Sequence, residues 1–184
     1  MTQFVILGVL ILVALWAIGL YNNFVKLIAR SEEAWADIEV QLKRRYNLIP
    51  NLVETVKAYA KHEEGTLMKV VEARNMAMKG GTIADRAKEE NMITGALKSI
   101  FALSEAYPDL KANQNFLKLQ EELTDTENKV QASRRFYNSN VRDLNIAVDT
   151  IPSNWISKIF KFGKKEFFDL PDNDVAQAPV AVKF

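Results

Sequence analysis

FLKLQEELTDTENKVQASRRFYNSNVRDLNIAVDTI, residues Phe116–Ile151, is the stretch whose spacing decides the fold. Its apolar or small positions are Phe116, Leu119, Leu123, Thr126, Val130, Ser133, Tyr137, Val141, Leu144, Val148 and Ile151. They recur at steps of three and four, with one extra residue between Tyr137 and Val141, the signature of a helical seam with a local change of register. No proline lies between Pro108 and Pro152, so one helix over about 112–150 is allowed. Such a seam buries itself against other helices, with Thr126 and Ser133 small enough for close approach. The fold class is all-α.

Toward the N-terminus, Tyr107-Pro108-Asp109 breaks the pattern, and a helix over about 82–105 carries Ile83, Ala87, Ile93, Ala96, Leu97 and Ile100. Lys79-Gly80-Gly81-Thr82 stops one helix and starts the next: glycine ends a helix, and Thr82 with Asp85 three residues on resembles a capping box. A further amphipathic stripe runs through Phe24, Leu27, Ser31, Ala34, Ile38 and Leu42, then Ile49, Leu52, Val56 and Tyr59. It passes Pro50, which lacks an N–H and clashes with the carbonyl of Tyr46. Two readings remain open on the residues alone: one kinked helix, or a helix ending near Tyr46 with Asn47 capping the next and Pro50 in its first turn.

Phe4–Tyr21, FVILGVLILVALWAIGLY, is uncharged. As a helix it spans roughly 27 Å, close to a bilayer core of about 30 Å. A body this small cannot surround a helix that is apolar all round. Met1–Gln3 lacks the basic residues of a signal peptide, and no polar mature start follows Ala17-Ile18-Gly19, so the segment reads as a retained anchor that meets membrane lipid through residues 4–21. Lys26, Arg30, Lys43, Arg44 and Arg45 follow it and no basic residue precedes it. The positive-inside rule then predicts a single-pass protein of the cell membrane, with a short outer N-terminus and a cytoplasmic body.

After Pro152, SNWISKIFKFGKKEFFDL mixes Trp155, Ile159 and Phe160 with Lys158, Lys161, Lys164 and Lys165. It reads either as a short amphipathic helix at the membrane surface, making contact through Trp155, Ile159 and Phe160, or as one packed on the helical body. Residues 171–184 read as a mobile tail.

The 24 Lys+Arg against 23 Asp+Glu give no electrostatic footprint for nucleic acid. The absence of Cys excludes thiolate metal sites and thiol nucleophiles, and a single His excludes multi-histidine sites. His62-Glu63-Glu64 resembles a general base beside carboxylates, yet a lone His on a solvated helix is in most cases a surface residue near a charge. Glu121 and Asp125 share a face that could hold a cation weakly, but a solvated face is the simpler reading. No catalytic, cofactor or metal residue is assigned. Arg44, Arg45, Asn47 and Asn51 form one polar group, placed near a turn far from the membrane. Arg134, Arg135, Asn138 and Arg142 form another, with Asn140 and Asn145 nearby. Beside the plain reading of interhelix and solvated groups, both are candidate surfaces for a protein partner or for self-association.

Three blocks together resemble the LemA family of bacterial membrane proteins: the N-terminal span, AWADIEVQLKRRYNLIPNLVETVKAYAKHE (Ala34–Glu63), and SEAYPDLKANQNFLKLQEELTDTENKVQASRRFYNSNVRDLNIAVDTIPSNWISKIFKF (Ser104–Phe162). The resemblance implies an N-terminal transmembrane helix followed by a four-helix up-and-down bundle and an extracytoplasmic N-terminus; it implies no established reaction. Four helices favour the split near Tyr46–Pro50. The resulting organisation is an anchor over 1–21, a bundle over 22–151, an amphipathic segment over 152–170 and a tail over 171–184. The functional expectation is a membrane-anchored scaffold or adaptor, not an enzyme and without a cofactor. The alternative is a membrane-tethered enzyme or metal-dependent sensor using His62, Glu63 and Glu64.

Overall fold

A computed structural model describes residues 1–168, so the expected mobile tail, 171–184, lies outside the described residues. The order of elements is α1 (Thr2–Tyr59), α2 (Glu64–Ala77), α3 (Ile83–Ser104), α4 (Pro108–Lys111), α5 (Gln114–Asp149) and α6 (Ser153–Phe160). No strand occurs among the described residues.

α1 begins with an apolar run whose best 18-residue window has a mean hydropathy of 2.7 and is not buried at all. It is the one helix among the described residues long and apolar enough to cross a membrane.

The helix then passes Pro50 and ends at Tyr59. This corrects the expected split near Tyr46–Pro50: the break falls at Ala60–Glu63. Pro50 lies on the exposed side, so its ring meets solvent while Ile49, Leu52 and Val56 stay fully buried. The missing Pro50 N–H should orphan the carbonyl four residues back, that of Tyr46. Arg74 of α2 supplies the substitute, its Nε donating to the Tyr46 carbonyl at 2.8 Å. A donor from another helix thus does the work of the absent amide, and the helix has no need to end.

The restart at Thr82 is as expected. The Thr82 hydroxyl accepts from the Asp85 amide at 3.2 Å, and the Asp85 carboxylate accepts from the Thr82 amide at 3.2 Å, closing a capping box. Gly80 takes φ 73° between α2 and α3, where a residue with a Cβ would be strained. Pro108 occupies the donor-free first turn of α4. Asn113 caps α5, its side-chain oxygen accepting from the Phe116 amide at 3.0 Å.

The chain forms two compact units, and α1 and α5 belong to both. The first contains residues 1–37 and 135–167. Phe24, Leu144 and Ile156 are its buried apolar centre, with Ala17, Leu20, Ala147, Val148 and Phe162 packed around them. Beyond α6 the chain is held along α5: the Asn145 amide donates to the Lys165 carbonyl and accepts from the Lys165 N–H, both at 3.0 Å. The Tyr137 hydroxyl donates to the Glu166 carbonyl at 3.0 Å.

The second unit takes in residues 38–134 together with Phe168. Its core joins Ile49, Leu52 and Val56 of α1, Leu67 and Val70 of α2, Ile93, Leu97 and Ile100 of α3, Leu110 of α4, and Phe116 and Leu123 of α5. Polar contacts fix the helix directions. Tyr46 and Arg74 meet at one level, as do Arg45, Glu90 and Glu127. Tyr59 meets Asn113, and Glu63 meets Tyr107, at another. The chain paths of α1, α2, α3 and α5 therefore alternate in this unit.

The seam of α5 is inside at Phe116, Leu123, Thr126, Val130, Tyr137, Val141 and Leu144. Leu119, Ser133 and Val148 are half-buried. Ile151 is 69% exposed because α5 has ended two residues earlier, and Tyr59, at the end of α1, is exposed with its hydroxyl on Asn113.

Candidate functional site

Arg45 is not part of a surface. It is 2% exposed, which corrects its placement on a partner face. Its guanidinium donates to the Glu90 carboxylate at 3.1 Å, the Glu127 carboxylate at 2.6 Å and the Thr94 hydroxyl at 2.7 Å. The Tyr46 hydroxyl donates a short hydrogen bond to the other Glu90 oxygen. α1, α3 and α5 are thereby tied by charge at the level where α2 holds the Tyr46 carbonyl.

Burial raises the Glu90 carboxyl above the usual carboxylate range, against the opposing pull of the Tyr46 hydrogen bond and the Arg45 charge. Burial and the adjacent Glu90 push the Tyr46 phenol well above its ordinary value. Breaking such a pair strands a buried charge, so the network locks the packing of these helices.

A sequence signal for it exists. The α1 stripe has a seven-residue gap from Leu42 to Ile49, and Arg45 fills it at steps of three and four. Glu90 likewise falls in step between Ala87 and Ile93 or Thr94 on α3. A charged residue in register with an apolar stripe is a core residue awaiting a partner.

Arg44, Asn47 and Asn51, also at steps of three and four, are exposed and line one face of α1 within the helix, not at a turn. Arg44 faces Asp125 of α5 at 3.8 Å, and Lys129 holds the same carboxylate at 2.8 Å. The Lys129 contact holds the Asp125 carboxyl below its usual value, and the Arg44 charge adds to this. Asn51 continues into a shallow groove with Thr55 of α1 and Asn115, Lys118 and Glu122 of α5. Glu121, the other half of the weak cation pair weighed from sequence, is exposed.

The second polar group divides. Arg134 stacks its guanidinium over the Phe168 ring at 4.8 Å, so it belongs to packing. Arg135 and Arg142 are exposed and Asn138 is half-buried, and these three share one face of α5 in the first unit. Arg142 donates to the Ser139 hydroxyl at 3.2 Å. Asn140 is nearly buried, its amide donating to the Phe136 carbonyl.

His62 is exposed in the link from α1 to α2, Glu64 is exposed at the start of α2, and Glu63 accepts from the Tyr107 hydroxyl at 3.2 Å. A larger apolar groove of about 690 Å³ lies between α1 and α2, lined by Val53, Leu67, Met68, Val71 and Met76, with Glu64 at its edge.

α6 turns Ile156 and Ser157 inward and leaves Trp155, Ile159 and Phe160 outside at 59%, 69% and 52% exposure. The Phe160 ring meets Tyr21 edge-on at 4.8 Å, and Phe162 stacks on Phe24 at 5.0 Å. The segment is docked and exposed at once, on opposite faces.

The family model described as the LemA family matches residues 34–184. Magnetosome protein MamQ of Magnetospirillum gryphiswaldense is 25% identical over 175 residues, covering 80% of this chain and 64% of that protein. Magnetosome protein MamQ 1 of Paramagnetospirillum magneticum gives the same identity and coverage. Protein LemA of Metamycoplasma hominis is 25% identical over 145 residues, covering 77% of this chain and 65% of its own length. The chain thus spans less than two thirds of the length of the relatives it matches.

Proposed function

The chain belongs to the LemA family, and from that membership and the geometry above we propose that it is a membrane-anchored helical scaffold, acting through protein contacts of its body rather than through a reaction. The observation that carries this reading is the division of α1. Its first turns are apolar and wholly uncovered, as a lipid-embedded helix requires. Its later turns bury one stripe in a helical body and hold Arg44, Asn47 and Asn51 outside. The stripe beside Asn115, Lys118 and Glu122 is the partner or self-association surface, and Arg135, Asn138 and Arg142 form a second one. The exposed basic residues just after the apolar run, Lys26 and Arg30, support a cytoplasmic body under the positive-inside rule.

Photocrosslinking in cells tests the contact surface. A benzophenone amino acid at Asn47 or Asn51 should give discrete adducts, to a second copy or to another protein, and one at the exposed Asp109 should not. Adducts from Asp109 as abundant as from Asn47, or none from any position, would remove the surface from the account.

A further inference from the structure

The apolar run of α1 does not end in isolation. Ala17 and Leu20, its last inward-turned residues, are half-covered by the cluster that contains Leu144 and Ala147 of α5, Ile156 of α6, and Phe162. Tyr21, where the uncharged stretch stops, touches the rings of Phe160 at 4.8 Å and Phe162 at 5.5 Å. Leu144 and Ala147 of α5 and Ile156 and Phe160 of α6 therefore lie beside the last turns of the apolar run. At that level a side chain meets lipid headgroups, not bulk water.

The outer face of α6 suits that place. Trp155 and Ile159 are one turn apart, Phe160 adjoins them, and all three are more than half exposed. Such apolar residues have no reason to stay uncovered in water when Ile156 and Phe162 beside them are packed. The exposed side chains of Lys158 and Lys161 border the patch and make no ion pair among the described residues. Lys164 is held by Asp149 at 2.6 Å and Lys165 by Glu32 at 3.2 Å. Aromatic tips with flanking ammonium groups, continuous with the proposed span, match the boundary of an anionic bilayer.

We infer that α6 is a second membrane contact: Trp155, Ile159 and Phe160 enter the headgroup boundary of an anionic lipid surface beside Tyr21, with Lys158 and Lys161 on the phosphates. The inference rests on the proposed anchor. The hook would fix the depth and rotation of α1 in the bilayer, which an apolar span alone leaves loose.

The test uses the full chain in phosphatidylcholine–phosphatidylglycerol vesicles with lipids brominated just below the headgroups. The chain has three tryptophans, Trp16, Trp35 and Trp155. Trp16→Phe with Trp35→Phe leaves Trp155 as reporter; Trp35→Phe with Trp155→Phe leaves Trp16. Both reporters should lose most of their emission to the brominated lipid. Trp155 should lose less in pure phosphatidylcholine, and Lys158→Glu with Lys161→Glu should abolish that difference. Quenching of Trp16 alone would overturn the hook and leave the anchor standing. Quenching of neither would overturn both. Trp155 shielded from bromine, but shifting with the protein-to-lipid ratio, would mean that a second copy covers the patch, and would overturn the lipid assignment.

Discussion

Replacing Arg74 with Met tests how α1 survives its proline. The change keeps most of the apolar stem and removes the Nε donor that lies 2.8 Å from the Tyr46 carbonyl. With Pro50 in place the amide that would bond that oxygen four residues on is missing. The loss of a hydrogen bond from a charged donor, at a partly buried site, costs about 1.5–3 kcal/mol. For a chain of this size each kcal/mol moves the melting temperature by about 2–4 °C, so Arg74→Met should lower it by roughly 3–12 °C. Pro50→Ala restores an N–H at the right place. In that background the Tyr46 carbonyl has its own partner, and Arg74→Met should cost no more than about 0.5 kcal/mol. The coupling between the two sites is then about 1–2.5 kcal/mol, well above the additivity error for independent positions. Thermal unfolding of the four proteins in one mild detergent, followed by far-ultraviolet circular dichroism, measures it. Equal losses from Arg74→Met in both backgrounds would show that Arg74 serves something other than the orphaned carbonyl.

The buried network predicts an asymmetry: Arg45→Met strands Glu90 and should cost about 3–5 kcal/mol, whereas Arg44→Met, at an exposed pair, should stay within about 1 kcal/mol; the same melts compare them. Because the folded state holds the Glu90 proton more tightly than the unfolded chain, ionising Glu90 subtracts stability as pH rises from the ordinary carboxylate range upward. The melting temperature of Glu90→Gln relative to the parent should therefore climb with pH over that window, and a flat difference would show that the carboxyl is not raised. In the seam, Leu123→Ala should cost about 2–5 kcal/mol, half-buried Leu119→Ala less, and exposed Glu121→Ala under about 0.5 kcal/mol by chemical denaturation. Thr82→Ala removes one half of the capping box and should cost about 0.5–2 kcal/mol, most visible as faster amide exchange in the first turn of α3.

What was legible in the sequence was local. The 3–4 spacing placed the long helices, Thr82 with Asp85 marked the start of α3, and Tyr107-Pro108 marked the break before α4, because each signal acts within one turn of the chain. The passage through Pro50 was not legible in that way. Its explanation is a donor on Arg74, on another helix, and local rules see only the lost amide. Arg45 shows a different limit: a lone charged side chain reads as exposed, although its register with Leu42 and Ile49 puts it inside, with Glu90 as the matching clue on α3. Polar residues at 44, 47 and 51 could be grouped by spacing, but their exposure depends on which stripe the neighbouring helices cover. The two readings of the C-terminal aromatic segment were also not exclusive, since Ile156 and Phe162 dock while Trp155 and Ile159 stay outside.

The most direct measurement of the account exploits the absence of cysteine from the chain. Single Thr2→Cys and Lys61→Cys proteins, expressed at low level, are exposed to a membrane-impermeant maleimide on intact cells and again after lysis, and membranes are then washed at alkaline pH. The anchored, cytoplasmic body predicts that Thr2→Cys reacts on intact cells, that Lys61→Cys reacts only after lysis, and that both stay in the washed membranes. Reaction of Lys61→Cys on intact cells with protection of Thr2→Cys would reverse the orientation. Release of the body into the wash would contradict the anchor itself.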